Sequence, residues 1–95
     1  MIVRVEFEWD AAKSLKNEAE RGLPFRLAIL LFRSSLLRRV DSRQDYGEVC
    51  IKAIGVVGDH ILHCVYTDRG AVCRVISLRY ANRRERDAYR ATFGD

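Results

Sequence analysis

The stretch GEVCIKAIGVVGDHILHCVYTDRGAVCRVISLR, residues 47–79, decides the fold. Three apolar, β-branched segments are separated by two turn signals, Gly58-Asp59 and Asp68-Arg69-Gly70. A two-residue Gly-Asp link between such runs is a hairpin signal. The stretch therefore predicts strands over 47–57, 60–67 and 71–79, joined as an antiparallel meander. In a regular strand Arg74, Ile76 and Leu78 face one way, and Cys73, Val75, Ser77 and Arg79 the other. That alternation puts Arg74 and Arg79 on opposite faces of an apolar strand, where each needs a partner. Gly55, Gly58 and Gly70 read as turn or bulge glycines without phosphate-loop spacing.

Working outward, residues 36–40 make a further short strand and 41–46 a polar loop. Upstream, residues 2–7 alternate as a strand, with Val3, Val5 and Phe7 on one face. Asp10 is placed to cap a helix whose apolar positions are Ala12, Leu15, Lys16 and Ala19, and Gly22 to close it. Pro24 suits the first turn of a second helix with Phe25, Ala28, Leu31 and Phe32 as its stripe. Downstream, Asn82 with Glu85 three residues later gives a capping-box start to a last helix. The expected order is β-α-α-β-β-β-β-α: an α+β fold with a small antiparallel sheet, an N-terminal helical pair and a C-terminal helix.

At 95 residues the chain has the length of one domain, taken as 1–95. Apolar residues at 48% and charged residues at 32% exclude a disordered or collagen-like chain. The longest apolar run, Leu27 to Phe32, is too short to span a bilayer, and the first residues lack a signal-peptide layout, so the expected location is cytoplasmic. The net charge is +4. Residues 70–95 carry six arginines against Glu85, Asp87 and Asp95. Arginine grips phosphate or carboxylate through paired hydrogen bonds, so this basic end suggests phosphates or an acidic partner against the plainer alternative of a solvated helix face. Cys50, Cys64 and Cys73 form no C-x-x-C pair and read as buried free thiols. No metal or cofactor is implied.

Arg79 lies where the last strand turns into the arginine-rich helix, either aimed into a groove or bridged to Glu48 or Glu85. Glu48, Tyr66, Arg74 and Arg79 together suit RNA cleavage by the 2′-hydroxyl, with Glu48 as base, Tyr66 or another group of shifted pKa as acid, and guanidinium groups stabilising charge on phosphorus. Trp9 reads as core, or as a base-stacking platform beside Lys13. His60 and His63, three apart, point to opposite faces of their strand and read as surface or structural residues.

The chain resembles the BrnT family of bacterial toxin ribonucleases. The resemblance rests on Phe7-Glu8-Trp9-Asp10 with Lys13 and Asn17, on Gly22 with Phe25, and on Ala28 with Phe32. It continues through Asp45-Tyr46-Gly47-Glu48 and Val65-Tyr66-Thr67-Asp68-Arg69-Gly70. The closest part is Arg74-Val75-Ile76-Ser77-Leu78-Arg79-Tyr80-Ala81 with Arg84-Glu85-Arg86 and Tyr89. The resemblance implies a RelE-like fold and the toxin of a type II toxin-antitoxin system, a metal-independent endoribonuclease that arrests translation. It further implies neutralisation by a BrnA-like ribbon-helix-helix antitoxin, with operator DNA bound only through that complex. Carried over by position, Arg74, Arg79 and Glu48 are the functional candidates and Arg83 and Arg84 candidate RNA contacts. Two departures stand out: Glu20-Arg21-Gly22 where the family often reads Lys-His-Gly, and Cys50 where it often carries arginine. They keep open a catalytically degenerate homologue that acts only by binding antitoxin; a nucleic-acid-binding module without catalysis fits the modest charge less well.

Overall fold

The computed structural model describes residues 6–41, with Asp41 by its backbone alone, and 49–94. Residues 2–5 of the expected first strand, residues 42–46 of the expected loop, and Gly47 and Glu48 lie outside these, while Asp41, expected in the loop, ends a strand. The elements run β1 (Glu6–Glu8), α1 (Ala11–Arg21), α2 (Leu27–Leu31), β2 (Leu37–Asp41), β3 (Cys50–Val57), β4 (His60–Arg69), β5 (Val72–Tyr80) and α3 (Arg83–Phe93). The order is the expected one. The five strands form one sheet in the order β1-β5-β4-β3-β2. Strands β2 to β5 pair antiparallel. Strand β1 instead pairs parallel to β5, so the sheet is mixed. The crossover formed by everything between β1 and β5 permits that direction, which no local pattern announces.

Local chemistry sets the element ends. The Asp10 side chain accepts from the Lys13 backbone N–H at 3.1 Å, capping α1. Gly22 closes it in the left-handed region at φ 72°, open to glycine at little cost. Gly58 turns the β3-β4 hairpin with φ 60°. With Asp59 at negative φ, this is the pattern of a type II′ turn.

The sheet has an inner and an outer face. Ala53, Leu62, Cys64, Tyr66, Cys73, Val75 and Leu78 are buried with Leu23, Phe25, Ala28 and Leu31 from the helical segment. Phe32 joins this core edge-on to both Phe7 and Tyr66, with ring centroids 5.3 and 4.8 Å apart. Edge-to-face contacts of this kind are favoured by the ring quadrupoles.

Helix α1 docks differently from expectation. Ala12, Leu15 and Ala19 are exposed, and the buried residue of the helix is Asn17. Its amide donates to the carbonyls of Leu23 at 2.7 Å and Leu78 at 2.9 Å. A polar anchor thus ties α1 to β5 where an apolar stripe was expected. Arg21, one of the two departures, donates to the same Leu78 carbonyl at 3.3 Å and to Asn17 at 3.1 Å, a structural task.

Gly55 is neither a turn nor a bulge glycine. It sits within β3, where an added Cβ would meet Ser34 Oγ at 2.7 Å, Leu36 at 2.8 Å and Leu31 at 2.9 Å. The Ser34 hydroxyl there accepts from the Val56 N–H and donates to the Leu31 carbonyl. Overpacking a filled site costs about 1–3 kcal/mol. Gly55→Ala should therefore lower the urea midpoint by that free energy with an unchanged m-value; a variant as stable as the parent would contradict the close packing.

Candidate active site

The register of β5 against β4 contains one irregularity. Val65 pairs with Ser77 and Tyr66 with Val75, which leaves Ile76 as an extra residue on β5. Such a bulge reverses the alternation beyond it. Arg74, paired with Thr67, and Arg79, paired with His63, therefore share the outer face. The expectation that they face opposite ways is corrected by this one residue.

The outer face is read most easily in rows across the strands. One row runs Leu37, Ile54, His63, Arg79; the next runs Arg39, Lys52, Val65, Ser77; the third runs Cys50, Thr67, Arg74, Glu8. Helix α3 packs over the first row and closes it into a groove of about 450 Å³. Its lining includes Arg39, Lys52, His63, Arg79, Arg84 and Glu85. Arginine 39 lies directly opposite Lys52 in the register, and like charges so placed repel.

Arg79 and Glu85 form a two-pronged pair. Nη1 donates to Oε1 and Nη2 to Oε2, both at 2.8 Å. Arg79 also donates to the Tyr80 carbonyl at 3.1 Å, so three of its five N–H donors are engaged. The bond from Arg79 holds the Glu85 carboxyl down to about 2. Glu85 also accepts from the Asn82 N–H while Asn82 accepts from the Glu85 N–H, the expected capping box. Of the two partners expected for Arg79, Glu85 is bonded to it, and Glu48 lies outside the described residues. His63 is buried beside this pair, with Nε2 3.7 Å from Glu85 Oε2. Burial, then the charge of Arg79, holds its pKa below the ordinary value. It stays neutral near pH 7.

The remaining candidates are dispersed. Arg74 lies about 13 Å from Arg79 along the strand. It donates to Glu8 Oε2 at 3.0 Å, and Arg69 reaches the same oxygen at 3.2 Å. Tyr66 is fully buried on the inner face and does not reach the groove. Trp9 packs partly buried against the core, as the plainer reading expected. Lys13 is exposed on α1 and does not line the groove. Arg83 and Arg84 open α3, where the helix dipole disfavours cations. Arg84 lines the groove; Arg83 does not. Among the described residues no group of three His, Cys, Asp or Glu side chains is arranged to hold a metal ion. His63, Arg39 and Lys52 were missed as site residues because only the strand register brings them to Arg79. The Gly58-Asp59 turn was the available signal, since counting back from it pairs His60 with Val57 and Ile54 with His63.

A family model described as the ribonuclease toxin BrnT of type II toxin-antitoxin systems matches residues 9–85. The chain belongs to the BrnT family. No curated protein matches it closely enough to count as a relative. The span matched to BrnT runs from Trp9 to Glu85 and so includes both members of the Arg79–Glu85 pair. Ribonuclease toxins of this type act on RNA and have an antitoxin partner. A cationic groove is the surface such an enzyme needs for a phosphodiester.

A carboxyl whose folded pKa lies near 2 against an ordinary 4.5 stabilises the fold fully above pH 4.5 and loses that contribution as pH falls towards 2. His63, lowered from 6.5, acts in the same direction below pH 6.5. Thermal melts of the parent and Glu85→Gln should therefore differ most above pH 4.5 and converge as pH approaches 2. A difference independent of pH would show that the carboxylate charge is not what the fold uses.

Proposed function

We propose that this BrnT-family chain is a metal-independent endoribonuclease toxin of the cytoplasm that cleaves RNA and arrests translation. The observation that carries the reading is the groove under α3, where Arg39, Lys52, Arg79 and Arg84 converge and the carboxylate lining it, Glu85, is already neutralised by Arg79. Such a surface is repulsive to itself and attractive to a polyanion. Arg79 keeps two N–H donors unengaged among the described residues, and these would meet the charge that builds on phosphorus during attack by the 2′-hydroxyl. Arg84 supplies a second guanidinium at the helix start, and Arg83 a contact to the flanking strand. Arg74, held by Glu8 at the far end of the face, suits a more distant phosphate. Glu48 stays a candidate base, and Trp9 and Lys13 peripheral contacts at most.

Neutralisation follows from the same electrostatics. A BrnA-like ribbon-helix-helix antitoxin with an acidic segment would cover the groove, and operator DNA would meet the toxin only through that complex. One observation favours a second reading, an inert antitoxin-binding homologue. Both terminal nitrogens of Arg79 are occupied by Glu85, which leaves less of the guanidinium for substrate.

Induction in a bacterial host decides between them. The parent should arrest growth with loss of RNA, and folded Arg79→Ala should cleave about 10²–10³-fold more slowly and relieve the arrest. Arg84→Ala should weaken RNA binding and reduce its salt dependence by about one counterion. Undiminished arrest in folded Arg79→Ala would remove Arg79 from the site. Normal growth with soluble, folded parent protein would establish the inert homologue.

A further inference from the structure

His63 is the most buried ionisable side chain of the groove, with the residue 5% exposed. Its two nitrogens have different surroundings. Nε2 stands 3.7 Å from the Glu85 carboxylate, close enough for that charge to favour the proton on Nε2. The lone pair then belongs to Nδ1. That atom is buried and has no hydrogen-bond partner in another described residue; the imidazole's further polar contact is with its own backbone. Buried polar atoms are nearly always satisfied, and one that is not points to a group yet to arrive.

The charged groups facing His63 come from each neighbouring element: Lys52 from β3, Arg79 from β5 and Glu85 from α3. A neutral imidazole with a carboxylate 3.7 Å from one nitrogen, an electrostatic contact longer than a hydrogen bond, and no partner residue on the other has the make-up of a general base. The alternatives in the groove are weaker. Its arginines and Lys52 offer only N–H donors, and Glu85 is committed to Arg79.

We propose that His63 is the general base of the groove and accepts, through Nδ1, the 2′-hydroxyl proton of an RNA whose phosphate lies against Arg79. This rests on the ribonuclease reading above. As the proton moves to His63, the 2′ oxygen bonds to phosphorus and the bond from phosphorus to the 5′ oxygen breaks. The departing 5′ oxygen takes a proton from solvent water, and His63 later returns its own to solvent. The products are a 2′,3′-cyclic phosphate and a 5′-hydroxyl end. The terminal torsion of histidine is soft, and rotation about it would turn Nδ1 towards the groove when a hydroxyl is there to meet it. The negative phosphate offsets the repulsion from Arg79 and Lys52, which moves the imidazole towards the working pH where a base is most effective. Glu85 is then a positioning residue.

The test is single-turnover cleavage of a fluorescent oligoribonucleotide from pH 4.5 to 8.5 by the parent, His63→Gln and Arg79→Ala. Binding of the uncleavable 2′-deoxy oligonucleotide is measured beside it. The parent rate should fall on the acid side as His63 protonates. Folded His63→Gln should lose about 10²–10⁴-fold in rate, lose that acid limb and still bind the deoxy analogue within a few-fold of the parent. A folded variant that keeps the rate and the limb overturns His63 as base. So does one in which cleavage and binding fall together with the limb intact, which marks a structural residue. If His63→Gln cleaves normally while Arg79→Ala does not, the groove stands and only the base is wrong. If neither variant is impaired, or the parent itself cuts no RNA, both readings fall. Nitrogen NMR of the parent covers the case in which His63→Gln does not fold. The Nε2–H tautomer is expected, with the Nδ1 resonance moving when a cleavage-blocked 2′-O-methyl analogue binds. An Nδ1–H tautomer overturns the proposal.

Discussion

Two parallel hydrogen bonds between Arg79 and Glu85 hold the outer half of this molecule in place. Arg79 is the penultimate residue of β5, and Glu85 lies in the first turn of α3. The pair therefore sets the angle at which the chain leaves the sheet. The same carboxylate completes the cap of the helix, so removing it would free the Asn82 N–H and the guanidinium at once. At the far end of α3, the Tyr89 hydroxyl donates to the Ser35 carbonyl at 2.8 Å. A helix with strongly polar surroundings is thus fastened at both ends by hydrogen bonds, and the space between becomes the groove.

The two faces of the sheet rest on different forces. The inner face is closed by area: apolar side chains of β3, β4 and β5 against the segment from Leu23 to Leu31. The outer face mixes apolar side chains such as Leu37, Ile54 and Val65 with charged ones. Its order comes from charge pairing, Arg79 with Glu85 at one end and Arg74 and Arg69 with Glu8 at the other. A surface ordered this way retains cations that a hydrophobic face would exclude. In this BrnT-family chain apolar packing is thus concentrated on the inner side of the sheet and paired charge on the outer.

Much of this was legible in the chain. Alternation, the Gly58-Asp59 turn, the Asp10 and Asn82 caps and the Gly22 stop located every described element within a few residues, because each is a local signal with a local cause. Non-local features were hidden. The parallel pairing of β1 depends on where β5 lies, and the exposure of Leu15 depends on a bond from Asn17 to a carbonyl sixty-one residues away. Gly55 looked like punctuation because its neighbours, Ser34 and Leu36, arrive from another element. His63 was passed over for the same reason. Strand parity correctly separated it from His60, but nothing near it in sequence names Arg79 as its neighbour.

The extra residue at Ile76 carries a consequence for how this chain can change over time. Five steps separate Arg74 from Arg79, and the two share a face only because the bulge absorbs one of them. Losing that residue would leave a regular four-step interval that keeps both arginines outward. A residue gained there would have to be absorbed in the same way, or Arg79 would turn into the apolar layer and take the start of α3 with it. Among relatives, the length of this segment should therefore vary before the shared face of the two arginines does.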